Sequence, residues 1–160
     1  MTTNRPVNRF SSNFDAARIG LLEEPQRGLN GAWWPRTRDL GTELLDLNEV
    51  FIGKYGLMHR ITVSPGDWEN PSTGSCRATR AGSFVHLTTS HTLAVHTVQI
   101  DTLHNASIRL LVVPPAFGES QARWAFQLLL QSTRWRSAEQ ILHLSNEPRP
   151  ERVRRIRSSA

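Results

Sequence analysis

The chain has one cysteine (Cys76), one lysine (Lys54) and one tyrosine, and no apolar run near the roughly 18 residues of a membrane-crossing helix. A single cysteine forbids an intramolecular disulfide and supplies no thiolate set for a structural zinc, so nothing points to an oxidising compartment. The segment MTTNRPVNRFSSNFD has no apolar core of the kind a secretory leader needs. The expectation is a cytoplasmic protein with no membrane span. Catalytic signatures are missing as well. There is no GxSxG elbow and no HExxH, and Gly53-Lys54 lacks the upstream glycine of a phosphate loop. No catalytic residue, cofactor or metal ligand is assigned from motifs.

The 160 residues suffice for one domain with a core, although 38% hydrophobic content is lean and suggests unpacked ends. The net charge of +5 is unevenly placed. Residues 145–160 hold five arginines and two glutamates, residues 1–15 add about one positive charge, and 16–144 are nearly neutral. The division expected is a disordered segment over 1–15, a domain over 16–144 and a basic disordered tail over 145–160.

Within that domain, Ala16–Leu22 reads as a strand. Leu40, Leu44, Leu47 and Phe51 then fall on one face of a helix, with Asp39 as N-cap and Gly53 or Gly56 as stop. Residues 57–63 return as a strand. The twenty residues after Val63 read as a loop with at most one short strand. Residues 91–100 and 106–113 form a hairpin around DTLHN. The run LLVV implies a strand buried on both faces or nearly so, and Pro114-Pro115 ends it. A helix over Glu119–Ser132, capped by Ser120, and a short third helix opened by the capping box Ser137–Gln140 complete the pattern. The fold class expected is α+β: a single two-layer domain, a largely antiparallel sheet with two main helices plus the short third on one face.

The stretch Leu29–Leu40, LNGAWWPRTRDL, is compositionally unusual and reads as a structured loop between the first strand and the helix. Trp33 or Trp34 could stack on a base or flat ligand while Arg36 and Arg38 grip a phosphate or carboxylate, with Asp39 beside them. Alternatively a tryptophan plugs the helix–sheet core, Pro35 stiffens the entry, and the arginines pair with Asp39 and Glu43 at helix spacing. The second reading is the simpler one. The box Gly31–Leu40, with Leu110–Pro115 and a weaker Ala81–Phe84 turn, resembles an actinobacterial family of uncharacterised proteins bearing a GAWWPRSRDL-type box. That resemblance spans about residues 16–144 and implies one domain without implying an activity.

Weaker candidates are Asp67, Trp68 and Glu69 in GDWEN, where Trp68 could desolvate one acid for proton transfer. His91 and His96 lie an odd number of residues apart, on opposite faces if in one strand, which disfavours a shared metal and makes His96 a sheet-surface residue. The tail arginines Arg152, Arg154, Arg155 and Arg157 could neutralise phosphates in a salt-sensitive, sequence-blind way. The leading expectation is a small binding or interaction module without recognised catalysis, its partner a protein, a ligand or a second copy. Nucleic-acid binding through the tail and the Trp–Arg box is the alternative, and an enzyme of unrecognised type the second alternative.

Overall fold

The computed structural model describes residues 18–23, 28–69, 74–77, 84–104, 106–131 and 137–146. Its strands are β1 (Ile19–Leu21), β2 (Gly31–Trp33), β3 (Met58–Val63), β4 (Gly74–Arg77), β5 (Phe84–Thr89), β6 (Thr97–Thr102) and β7 (Ser107–Val112). Its helices are α1 (Leu40–Tyr55), α2 (Glu119–Gln131) and α3 (Ala138–Ser145). The seven strands form one mixed sheet in the order β1-β2-β7-β6-β3-β5-β4. β2/β7 and β3/β5 are parallel and the other four pairings antiparallel. Parallel neighbours need a long connection rather than a tight turn, and β2 reaches its parallel neighbour β7 only by way of α1 and β3–β6.

α1 forms where the periodicity predicts it. Leu40, Leu44, Leu47 and Phe51 are all buried against the sheet. Asp39 stands at the N-cap, but its carboxylate accepts from the Thr42 hydroxyl at 2.8 Å and caps no backbone N–H. Gly53 stays inside the helix. Gly56, at φ 83°, ends it and donates its N–H to the Ile52 carbonyl at 3.0 Å. The Ser137 capping box is present in both directions, at 3.1 and 2.9 Å. At the start of α2 the Gln121 side chain, rather than Ser120, takes the Gly118 N–H at 3.1 Å.

Three expectations need correction. First, the helices do not share one face. Trp33, Leu110 and Val112 join the α1 core, whereas Ala32, Leu111 and Val113 pack with α2 and α3. Successive strand residues point to opposite faces, so α1 lies on one side of the sheet and α2 with α3 on the other. Second, the tryptophan box begins as strand β2, not as a loop. Gly31 is sandwiched there, and a Cβ would press into the Gly20 carbonyl oxygen with Leu110 Cδ2 at 3.0 Å. Third, β6 begins at Thr97 rather than near His91, because His96 takes φ 63° and breaks the extended run. β5 is a strand that the periodicity does not assign.

α2 and α3 cover only the β2–β7 part of the second face. Beyond them Arg60, Phe84, His86 and Arg109 are exposed, beside half-buried Thr62, Thr88 and Gln99. No described helix is long and apolar enough to cross a membrane.

Candidate functional site

β2, β3 and β7 all run toward one edge of the sheet, and antiparallel β6 starts there. Four chain segments therefore meet at that edge: the box after Trp33, the turn after Val63, the entry to β6, and the Pro-Pro exit from β7.

The box is anchored from below by tryptophan stacking. Trp33 is 2% exposed, and its ring lies 5.2 Å from that of Trp68, tilted by 35°. Burying an indole removes on the order of 200 Å² from water, enough to hold the two segments together. From the helix side, Glu43 reaches back into the loop. Its Oε1 accepts the backbone N–H groups of Arg36 and of Thr37, the latter at 3.0 Å. A carboxylate in the first turns of a helix also suits the positive end of the helix dipole.

The box arginines separate in function. Arg36 lies 3.7 Å from Asp46, with both side chains about half exposed, which makes it a weak surface pair. Arg38 turns to the neighbouring segment, donating through Nη2 to the Gly66 carbonyl at 2.9 Å and through Nε to the Asp67 carbonyl at 3.2 Å. The Arg38 carbonyl in turn accepts the Glu69 N–H at 2.9 Å. Trp34 carries the Arg18 guanidinium 3.5 Å above its ring and packs with the α2/α3 core. Asp39 and Glu69 are exposed. Of Trp33, Trp34, Arg36, Arg38 and Asp39, only Arg38 lines the cleft described next.

That cleft has a volume of about 270 Å³. Pro35, Trp68, Val112, Pro114 and Pro115 give it apolar walls, and Thr37, Arg38, Asp67 and His96 bring polar groups to it. Asp67 is the buried charge of the site, its side chain 4% exposed against 33% for His96. Its Oδ2 accepts the His96 backbone N–H at 2.7 Å, and its Oδ1 lies 3.5 Å from His96 Nδ1. Burial pushes the Asp67 carboxyl above the usual carboxylate range. The His96 N–H bond and the charges of His96 and Arg38 oppose that rise. The His96 carbonyl accepts the Val112 N–H at 2.8 Å, so both backbone polar groups of this left-handed residue are engaged. Trp68 Nε1, also in the wall, is buried without a hydrogen-bond partner.

The structure thus brings Arg38, Asp67 and Trp68 together and adds His96 and Thr37, which the motifs did not single out as a site. His96 is not a sheet-surface residue; it precedes β6 and faces Asp67. No local signal in the sequence pairs these two residues. Arg152, Arg154, Arg155 and Arg157 lie outside the described residues. Among the described residues, no group of three or more His, Cys, Asp or Glu side chains could hold a metal ion. A second concavity of about 290 Å³ is lined by His59, Arg60, Asp101, Thr102 and Ala106.

The model of a family of unknown function, DUF5994, matches residues 18–129, which span both sides of the cleft. No curated protein and no solved structure matches the chain.

Proposed function

The chain belongs to the DUF5994 family, and from that premise we propose a small cytoplasmic binding module whose ligand site is the cleft at the Pro-Pro edge of the sheet. One observation carries the reading. A few polar groups converge in an apolar-walled recess built from four separate segments, the usual make-up of a small-molecule site. The recess suits a compact ligand with a flat or branched apolar body against Trp68 and the prolines. Its hydrogen-bonding head would meet Thr37 and His96. The Trp–Arg box serves this site mainly as scaffold, since Trp33 is core and Arg36 pairs away from the cleft.

Amide NMR of the full chain titrated with benzoate and with benzamide tests the proposal. Shifts concentrated at Thr37, Gly66, Asp67 and His96 support it. Scattered or absent shifts with both compounds reject it.

A second reading has one observation in its favour. Phe84 is 65% exposed on the bare sheet face, with Arg60, His86 and Arg109 on the same side. An exposed aromatic among cations on a sheet suits stacking by single-stranded nucleic acid, and the tail arginines would add to it. Anisotropy with labelled oligonucleotides decides it. Salt-sensitive binding that Phe84→Ala weakens supports this reading, and no binding at low salt removes it.

A further inference from the structure

We infer that the cleft takes up a small carboxylate together with a proton, with His96 as the proton carrier and Asp67 as the residue that positions it. The inference rests on the reading of the cleft as a ligand site and names the chemistry of that ligand.

Asp67 and Arg38 are the other titratable side chains lining the cleft beside His96. Asp67 is buried and turned toward His96, and Arg38 holds the carbonyls of Gly66 and Asp67. The acid is therefore screened from an incoming ligand, while Arg38 and the His96 ring border the recess, so that a proton on that ring would leave the recess favouring an anion.

The geometry then decides which form of His96 can receive it. With Nδ1 facing the Asp67 carboxylate, the neutral ring keeps its proton on that side and leaves Nε2 as the nitrogen available to a ligand. Nε2 of such a ring carries a lone pair, which a carboxylate does not approach. Adding a proton turns Nε2 into a donor and places an imidazolium between the buried Asp67 and the ligand. Capture of a carboxylate is thereby coupled to one proton. A neutral ligand with an N–H or O–H donor meets the unprotonated ring instead and needs no proton.

The backbone of His96 supports this assignment independently. A non-glycine residue at φ 63° is strained and persists where its surroundings over-determine it. Here Asp67 holds its N–H and Val112 donates to its carbonyl. The strained conformation brings the ring to the buried carboxylate, an arrangement an extended residue at the start of β6 would not produce.

Calorimetric titration of the full chain with benzoate and benzamide from pH 5.5 to 8.5, in two buffers of different ionisation enthalpy, tests the inference. Benzoate affinity should fall about tenfold per pH unit above the imidazole pKa, with proton uptake approaching one per ligand. Benzamide affinity should not fall this way. His96→Gln should abolish the pH slope, and Asp67→Asn should weaken benzoate binding and its proton uptake by removing the counter-charge. Benzoate binding with no proton uptake and a flat pH profile overturns the inference and leaves the cleft a ligand site. Failure of both compounds to bind overturns the site itself. NMR of the His96 ring in the free chain adds a ligand-independent arm: Asp67→Asn must move the ring Nδ1 resonance, and an unchanged spectrum refutes the contact.

Discussion

Replacing Glu43 should disturb the molecule more than replacing any arginine of the tryptophan box. Glu43 is 5% exposed, and one of its oxygens receives two backbone N–H groups, from Arg36 and Thr37. Glu43→Ala removes the oxygen that accepts both bonds and the negative charge near the start of α1. A hydrogen bond to a charged group contributes about 1.5–3 kcal/mol. Arg36 and Thr37 are themselves exposed, so water can reach part of what is lost, and the cost should lie near 2–3 kcal/mol. Glu43→Gln keeps an acceptor oxygen and loses only the charge, for about 1 kcal/mol. Arg36→Ala breaks a half-exposed pair at 3.7 Å and should cost less than about 1 kcal/mol. Urea unfolding followed by tryptophan fluorescence ranks the three directly. If Glu43→Ala costs no more than Arg36→Ala, the box is not organised through its backbone and the reasoning fails.

Leu44→Ala and Leu47→Ala, both at fully buried positions, should each cost about 2–5 kcal/mol in the same assay; losses below half a kcal/mol would reject the α1 packing. Gly31→Ala should be strongly destabilising, because the new methyl meets backbone on the β1 side, whereas Gly53→Ala, an exposed helix position with open space, should stabilise by about 0.5–1 kcal/mol. Thermal melts that show equal effects would contradict the register of β1 and β2. For Asp67, burial raises the folded-state pKa, so its stabilising contribution is full below the unfolded value near 3.9 and is lost as pH rises through the folded value. Asp67→Asn should therefore gain in stability relative to the parent as pH rises from about 4 toward neutrality, and a constant difference across that range would refute the assignment.

What was legible in the sequence was local. The α1 stripe needs only the 3.6-residue period, and the Ser137 box only the three-residue spacing to Gln140, so both are found where expected. The strand limits were less legible because single backbone angles decide them. Gly31 enters the sheet since only glycine tolerates the approach of Gly20, and His96 leaves it since its φ is positive. The sequence marks neither condition.

The layering shows how a correct local reading can contradict a global one. LLVV indicated a strand apolar on both sides, and a strand of that kind requires cover on both faces of the sheet. Setting every helix on one face leaves Leu111 and Val113 without a partner, yet these two residues pack against α2 and α3. The site was hidden for a related reason. Asp67 reads as a turn acid and His96 as a strand residue, 29 positions apart. They become a pair only because β3 and β6 lie antiparallel with Val63 opposite Val98, which sets the exit of one strand beside the entry of the other. The groups around Asp67 come from several segments: its neighbour Trp68 is stacked on the box tryptophan, Arg38 reaches its carbonyl from the loop before α1, and His96 comes from just before β6. Such a carboxylate follows from strand order and not from any run of residues, and for that reason the chemistry of this chain is read from its sheet edge rather than from its tryptophan motif.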